Sequence, residues 1–304
     1  HLGPKARHAY RVLFIGDSQL VNCDNIPGPR STYPKLLEHE LTSGSWQTPD
    51  GRRVEVINGG IPGYSSWQGV LVLRSDLLDL QPDLVVAAFG YHDSNPSLAG
   101  DREILTDAAW IHTLRTWMYR SRVCVLLRTL VLRRQAALNE RSDPRDWVPR
   151  VSLNSFEQNL RDMVALGQRR SFRAAFLTEP CFGPTVEGRV APYQARTRQL
   201  AAQLGVAKID AAAAFHKLSL QDRARLFQDS IHLSRVGHET AAAVVRNRLV
   251  ELGLVRQVTG TAGLGREPSV PQVSGGDPAD PAGNPAGEGA SGRGLSAPVS
   301  AAGS

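Results

Sequence analysis

The chain has 304 residues, 41% of them hydrophobic, and carries 35 Lys and Arg against 29 Asp and Glu, a formal charge of +6. This length suits one large α/β domain with a sizeable core. The sequence has neither a zinc-finger spacing nor an interleaved ladder of aromatic and basic residues, which excludes a nucleic-acid-binding module. It has no uncharged apolar stretch of about 18 residues, which excludes a membrane-spanning helix. The three cysteines form no C-x-x-C, so neither a redox motif nor a structural zinc site is indicated.

The first element is a buried strand that ends on a serine. Residues 11–15 are mostly β-branched, aromatic and apolar, which predicts a strand, and the run stops at Gly16, Asp17 and Ser18. Ser18 is therefore expected at the carboxyl edge of a sheet, where open α/β folds bind ligands. A loop rich in Asn, Pro and Gly follows over 22–31. The next helix is predicted from an apolar stripe of Tyr33, Leu36, Leu37 and Leu41.

Two further strands follow, over 53–57 and 84–89, with a helix predicted between them over 67–80. Strands that alternate with helices imply a parallel sheet with right-handed crossovers. In such a sheet the carboxyl ends of the strands lie along one edge. We therefore expect Ser18, Gly60 and His92, which follow the three strands, to converge.

Residues 97–150 are interpreted as a long helical insertion. Within it, 111–136 contains six arginines and no acidic residue. Three interpretations stay open: a helix or helix pair packed on the sheet edge, a lid over the active site, or a surface that contacts an anionic membrane or glycan. Deleting 105–145 is expected to alter chain-length preference only if the segment is a lid.

The fold is expected to resume after the insertion and to end before the last 46 residues. From Thr259 onward Gly, Ala, Pro and Ser dominate and large apolar residues almost vanish, so 259–304 is predicted to be a disordered tail. The folded domain is accordingly expected to cover 10–258. Its remaining predicted elements are helix 153–166, strand 173–178, helix 193–204, strand 205–210, a helical or loop segment 211–227 and a closing helix 237–252.

Asp229 and His232 stand three residues apart shortly before the closing helix. Together with Ser18 they offer the carboxylate, base and nucleophile of an acyl-transfer triad. An alternative stays open for each residue taken singly, in which Ser18 caps a helix and the Asp-x-x-His is a surface turn.

Four blocks occur in order on the expected strand ends and before the last helix. They are Gly16-Asp17-Ser18, Asn58-Gly59-Gly60, Gly90-Tyr91-His92-Asp93 and Asp229-Ser230-Ile231-His232. In these blocks the chain resembles the SGNH (GDSL-type) hydrolases, over roughly residues 10–255 apart from the insertion. The resemblance implies a three-layer α/β/α sandwich with a flavodoxin-like parallel sheet. It also implies hydrolysis or transfer of acyl esters with no metal or other cofactor.

The resemblance further implies roles for single residues. Ser18 matches the nucleophile, His232 the general base and Asp229 the residue that orients the imidazole. The oxyanion hole is implied to use the backbone N–H of Ser18 and of Gly60, with Gly59 and Gly63 as alternatives. Asp17 and Asp93 are expected to brace loops.

The third oxyanion donor is where this sequence departs from the family pattern. His92 occupies the position at which the pattern has asparagine. A neutral imidazole donates one N–H and an imidazolium two, so His92 is expected to polarise the substrate carbonyl in its place, with nearby Asn95 as an alternative donor.

The function expected from these features is that of a serine esterase or deacetylase. Its substrate is expected to be an ester-bearing small molecule, a glycan or a lipid. An O-acyltransferase with the same triad is one alternative, and a catalytically weak binding module, suggested by His92, is another. Because the family is often exported and the chain begins with His1 rather than Met, an exported or cell-envelope location is favoured over a cytoplasmic one.

Overall fold

The computed structural model describes residues 4–21, 32–42, 45–104 and 147–258. The arginine-rich segment 111–136 and the tail 259–304 lie outside the described residues, so the interpretations given for them stay predictions.

The centre of the fold is a mixed sheet of seven strands among the described residues, accompanied by a separate two-stranded ribbon. The ribbon is made by β5 and β6. In chain order the strands are β1 (Ala9–Gly16), β2 (Trp46–Gln47), β3 (Arg53–Gly60), β4 (Leu84–Ala88), β5 (Pro96–Ser97), β6 (Val148–Pro149), β7 (Arg173–Leu177), β8 (Ala207–Ile209) and β9 (Arg256–Gln257).

Five of the seven strands are parallel and lie in the order β3-β1-β4-β7-β8. Numbered along the chain, this is the 2-1-3-4-5 order of flavodoxin-like folds. The predicted flavodoxin-like parallel sheet is thereby confirmed. The short strands β2 and β9 extend the β3 edge in antiparallel fashion. These two strands were not predicted, because two residues carry no alternating pattern.

Helices cover both faces of the sheet. In chain order they are α1 (Tyr33–Leu41), α2 (Ser66–Ser75), α3 (Tyr91–Ser94), α4 (Asp101–Ile104), α5 (Leu153–Arg170), α6 (Pro184–Leu204), α7 (Ala211–His216), α8 (Leu220–Arg225) and α9 (Arg235–Glu251). Among the described residues, none of these helices combines the length and the apolar character needed to cross a membrane.

Three predicted helix boundaries were wrong by four residues or more. The helix expected over 153–166 continues to Arg170. The helix expected over 67–80 ends at Ser75 and is followed by a separate 3₁₀ turn, Leu77–Leu80. Spacing of apolar residues by three does not distinguish the two helix types. The helix expected to begin at Tyr193 begins at Pro184 and continues through Pro192. A proline usually ends a helix, which is why the prediction started after it.

The core consists of two apolar layers separated by the sheet. Alternate residues of β1 point to opposite faces, as the pleat requires. Val12 and Phe14 join the layer under α1 and α9, whereas Leu13 and Ile15 join the layer under α2, α5 and α6. All four side chains are fully buried. This three-layer α/β/α arrangement confirms the predicted fold class.

The chain order of the strands reverses between β1 and β4. In open α/β sheets such a switch point leaves a crevice at the carboxyl ends of the strands, because the adjoining connections run to opposite faces. Ser18 follows β1 and His92 follows β4, so both residues lie at this crevice.

Candidate active site

Ser18 opens a 3₁₀ turn, Ser18–Leu20, directly after β1. The turn is capped by Asp17, whose Oδ1 accepts the backbone N–H of Gln19 at 2.9 Å. Glycine at position 16 lets the end of β1 pass close to Ala88, since a Cβ there would lie 2.4 Å from the carbonyl oxygen of Ala88. Ser18 is 6% exposed, so neighbouring residues enclose it on most sides.

The structure brings Ser18, His232 and Asp229 together. His232 Nε2 lies 3.0 Å from Ser18 Oγ, and His232 Nδ1 lies 2.6 Å from Asp229 Oδ2. With Nδ1–H donating to the carboxylate, Nε2 can accept the hydroxyl proton of Ser18. This is the geometry of a nucleophile, a base and an orienting acid.

The Asp229 carboxylate also shapes the loop that carries the histidine. Its Oδ1 accepts the backbone N–H groups of Ile231 at 2.8 Å and of His232 at 2.7 Å. Partial burial raises the pKa of Asp229, but these hydrogen bonds and the one from the His232 ring outweigh it and lower the pKa below its usual value. The group is therefore an anion when it faces the imidazole.

Gly60, expected as an oxyanion donor, already has a partner. Its backbone N–H donates to Asn58 Oδ1 at 3.0 Å, and Asn58 Nδ2 donates in turn to the carbonyl oxygen of Leu20 at 2.5 Å. A Cβ on Gly60 would lie 2.4 Å from the Leu20 Cβ, so glycine is needed here for close packing against the Ser18 turn. The alternative residue Gly63 has φ +79° and open space beside its Cα.

His92 lies on the short helix α3, with its ring between Asn95 and Asp17. Its Nδ1 is 3.2 Å from Asn95 Nδ2, and its Nε2 is 3.8 Å from Asp17 Oδ2. Burial lowers the pKa of His92 to about 4, and the Arg150 guanidinium and the neighbouring His232 act in the same direction. His92 is consequently a neutral ring at ordinary pH.

A family model decides the relationship of this chain to known proteins. The model of the GDSL-like lipase/acylhydrolase family matches residues 14–240. The chain belongs to the GDSL-like lipase/acylhydrolase family. The resemblance to SGNH (GDSL-type) hydrolases drawn from the four blocks is thus confirmed.

Solved structures with the same fold include other members of this hydrolase class. A lipase/acylhydrolase from Enterococcus faecalis is 16% identical with a TM-score of 0.54, and the match covers 83% of this chain and 100% of that one. An acetyl-xylooligosaccharide esterase from Geobacillus stearothermophilus is 19% identical with a TM-score of 0.53, covering 79% and 94%. An acetyl xylan esterase is 18% identical with a TM-score of 0.52, covering 78% and 98%. No curated protein sequence matches this chain. At these identities the likeness shows the shared fold alone.

Gln19 joins the two parts of the GDSL-type site, and sequence analysis missed it. Its side chain is 2% exposed, and its Nε2 donates to the carbonyl oxygens of Pro180 at 2.6 Å and Ile231 at 2.9 Å. Ile231 belongs to the loop that carries His232. The only sequence signal was a polar residue where the Gly-Asp-Ser-Leu motif, which gives the family its name, has leucine.

Arg150 is a second residue that sequence analysis did not single out. Its guanidinium binds the Asp101 carboxylate through two hydrogen bonds, at 2.9 and 2.8 Å, and also donates to the carbonyl oxygen of Gly63 at 2.9 Å. Its backbone N–H donates to the carbonyl oxygen of Asn95 at 2.9 Å. One residue thus holds both the Gly63 turn and the residue that follows α3.

Two buried carboxyl groups lie behind the nucleophile turn. Asp17 and Glu179 are 1% and 2% exposed, and Glu179 Oε2 accepts the backbone N–H of Tyr91 at 3.3 Å. Burial raises the pKa of Asp17 to about 6 and raises that of Glu179 well above its usual value, where the Asp17 charge adds to the effect. Both carboxyls therefore take up a proton more readily than a carboxyl in water does.

Asp93 joins α3 to the start of α2. Its Oδ1 accepts the backbone N–H of Ser66 at 2.9 Å and the Ser66 hydroxyl at 2.5 Å. Burial raises the pKa of Asp93 to about 7, against the effect of these hydrogen bonds. These contacts fit the loop-bracing role expected for Asp93, and Asp17 caps the Ser18 turn in a similar way.

Proposed function

We propose that this family member is a serine esterase that works through an acyl-enzyme. The observation that carries the proposal is the continuous chain of contacts from Ser18 Oγ to His232 Nε2 at 3.0 Å and from His232 Nδ1 to Asp229 at 2.6 Å. A serine hydroxyl is a weak nucleophile unless a base stands within hydrogen-bond reach. Membership of the GDSL-like lipase/acylhydrolase family supports the same reaction class.

The first half of the reaction forms the acyl-enzyme. His232 Nε2 takes the Ser18 proton as Oγ attacks the ester carbonyl carbon, and the carbonyl oxygen becomes an oxyanion. Asp229 stabilises the resulting imidazolium and keeps its ring in place. When the tetrahedral intermediate collapses, the C–O bond to the alcohol breaks and His232 returns its proton to the leaving oxygen.

The second half releases the acid. A water molecule gives one proton to His232 and attacks the acyl carbon, and a second oxyanion forms. Its collapse breaks the bond to Ser18 Oγ, which recovers the proton from His232. The products are an alcohol and a carboxylic acid, and the enzyme is regenerated.

The oxyanion is proposed to lie against the backbone N–H of Ser18 and the ring N–H of His92. Gly60 is a weaker candidate, because its N–H would have to leave Asn58 Oδ1. Gly63 is the better third candidate, since it adjoins open space and Arg150 holds its carbonyl. Each such donor typically lowers the barrier by about 2.7–4 kcal/mol.

The proposed substrate class is a short acyl ester, in particular an acetyl group on a carbohydrate. The nucleophile is only 6% exposed, which favours a small acyl group beside it. Two of the structures with the same fold are acetylxylan-type esterases. This likeness supports the choice of substrate to test.

The test compares wild type with Ser18→Ala on nitrophenyl esters of graded chain length and on acetylated xylo-oligosaccharides. We expect the acetyl esters to be hydrolysed fastest and Ser18→Ala to lose activity by about 10⁴-fold or more. An added polyol shows whether the acyl group passes to water or to an alcohol. Undiminished turnover by Ser18→Ala would overturn the proposal.

A further inference from the structure

We propose that Asn95 is a positioning residue that holds the His92 ring in the neutral tautomer protonated on Nε2, so that its one N–H points toward Asp17 and the Ser18 turn. The catalytic consequence rests on the proposed esterase function. The tautomer itself can be measured whether or not that function is correct.

The first observation is the contact on the Nδ1 side of the ring. Asn95 Nδ2 lies 3.2 Å from His92 Nδ1. With the amide nitrogen of Asn95 facing the ring, Nδ2–H donates and Nδ1 accepts, so Nδ1 carries no proton in this arrangement. In a neutral imidazole the other nitrogen then carries it.

The second observation comes from the opposite side of the ring and is independent of Asn95. His92 Nε2 is buried 3.8 Å from Asp17 Oδ2, and this ring nitrogen has no hydrogen-bond partner among the described residues. An Nε2–H facing a carboxylate oxygen is attracted to it, whereas a bare Nε2 lone pair would be repelled. Both sides of the ring therefore select the same tautomer.

Hydrogen bonds fix the backbone of Asn95, and with it the position from which the side chain selects the His92 tautomer. Its backbone N–H donates to the carbonyl oxygen of His92 at 3.3 Å, and its carbonyl oxygen accepts the Arg150 N–H at 2.9 Å. The Asn95 side chain thus contacts the His92 ring from a residue whose backbone N–H and carbonyl oxygen are both hydrogen-bonded. The same Arg150 reaches the carbonyl oxygen of Gly63, so the tautomer contact and the Gly63 turn are positioned together.

The ring stays neutral because of what surrounds it. The charged and titratable groups that act on His92 are Arg150, His232, Asp101, Arg189 and the neighbouring Asp17. Burial and the positive groups lower the pKa of His92 to about 4, which outweighs the opposing effect of Asp101.

A neutral histidine needs a tautomer partner where an asparagine does not. The amide of asparagine always presents N–H groups, but imidazole presents one N–H on either of two nitrogens. Replacing the asparagine of the family pattern by His92 is therefore chemically consistent only if a neighbour selects Nε2–H. Asn95, three residues along the chain, supplies that selection.

The direct test is ¹⁵N NMR of histidine-labelled full-length protein at about pH 7, with the His92 signals assigned from their loss in His92→Asn. We expect the shifts of a protonated Nε2 and an unprotonated Nδ1. In Asn95→Asp a carboxylate accepts from Nδ1–H, so Nδ1 should become protonated and the pKa of His92 should rise. An Nδ1–H tautomer in the wild type would overturn the proposal, and this outcome does not depend on any variant folding.

The functional test is a double-mutant comparison on nitrophenyl acetate. Asn95→Asp is expected to lower kcat/KM by roughly 100-fold, the scale of losing one oxyanion donor. In the His92→Asn background the same change should lower kcat/KM less than about threefold, because the amide has no tautomer to lose. An equal loss in both backgrounds would show that Asn95 acts elsewhere. If the wild type itself is inactive, the proposed function fails while the NMR result still decides the tautomer.

Discussion

The side chain of Gln19 donates a hydrogen bond to the backbone carbonyl of Ile231 at 2.9 Å, across 212 positions of sequence. This contact fastens the turn that carries Ser18 to the loop that carries His232. The distance of 3.0 Å between the hydroxyl and the imidazole is thus supported by a neighbour that takes no part in the chemistry.

Replacing Gln19 should consequently weaken activity and stability together. Gln19→Leu keeps the size but leaves the carbonyl oxygens of Pro180 and Ile231 without a donor. We expect a loss of stability of about 1–3 kcal/mol and a fall of at least tenfold in kcat/KM on nitrophenyl acetate. Thermal unfolding and steady-state kinetics measure the two effects. Gln158→Leu, on the exposed face of α5, is the control, and unchanged kinetics in Gln19→Leu would contradict the idea.

Asp229 should matter through its charge rather than its size. Asp229→Asn removes the anion that faces Nδ1 of His232 and allows the wrong tautomer, so kcat is expected to fall by about 10⁴-fold. The fold should persist, because the loop lies at the surface and Asp229 is half-exposed. Asp79→Asn, which changes an exposed acid in the 3₁₀ turn Leu77–Leu80, is the control. Activity within tenfold of wild type would remove Asp229 from the triad.

His92→Asn restores the residue of the family pattern at this position. An amide N–H is then offered without any tautomer requirement, so we expect kcat/KM to be retained or raised. His92→Leu offers no donor and should lose about 100-fold or more. A loss in His92→Asn as large as in Ser18→Ala would instead show that the imidazole itself is indispensable.

Gly60 should tolerate no side chain. A Cβ there would meet the Leu20 Cβ at 2.4 Å and the backbone oxygen of Asp17 at 3.1 Å. Gly60→Ala is therefore expected to displace the Ser18 turn and to cost about 1–3 kcal/mol of stability, with a larger relative loss of activity. Gly188→Ala, inside α6 with nothing within 4 Å, is the matched control and should be neutral or stabilising. Equal melting temperatures for the two variants would contradict this account.

Asp93 should make the protein less stable as the pH rises toward neutrality. Burial raises its pKa in the folded protein to about 7, from the usual 3.8. Between those values the unfolded chain has lost the proton and the folded chain keeps it, so stability falls with rising pH and levels off above about 7. The total is on the order of 4 kcal/mol.

Asp93→Asn tests this pH dependence. An amide cannot ionise, and its oxygen can still accept hydrogen bonds from Ser66. The fall in stability between about pH 4 and 7 should therefore be much smaller in Asp93→Asn than in the wild type. Burial raises the pKa of Asp17 to about 6, so the stability of the variant should still fall somewhat as the pH rises. Unfolding free energies of wild type and variant at about pH 5 and 8 measure the difference. Parallel curves for the two proteins would rule out Asp93 as the titrating group.

Much of the architecture followed from local sequence pattern. The apolar runs of β1, β3 and β4 alternate with amphipathic helices, and right-handed crossovers between parallel strands leave few ways to arrange them. Since parallel strands present their carboxyl ends at one edge, the positions of Ser18 and His92 followed without coordinates. The meeting of Ser18 with the Asp229 loop rested additionally on the family resemblance.

The tertiary structure alone decided which groups each of these residues meets. Gln19 and Ile231, and likewise Asp17 and Glu179, are far apart in sequence and come together only through packing, which no local period records. The N–H of Gly60 donates to Asn58, and the ring of His92 lies between Asn95 and Asp17. Both contacts depend on the side-chain rotamers that the neighbouring residues at the sheet edge allow. Residue order determines which strand ends share an edge, whereas the orientation of each donor and acceptor depends on close packing across the whole fold.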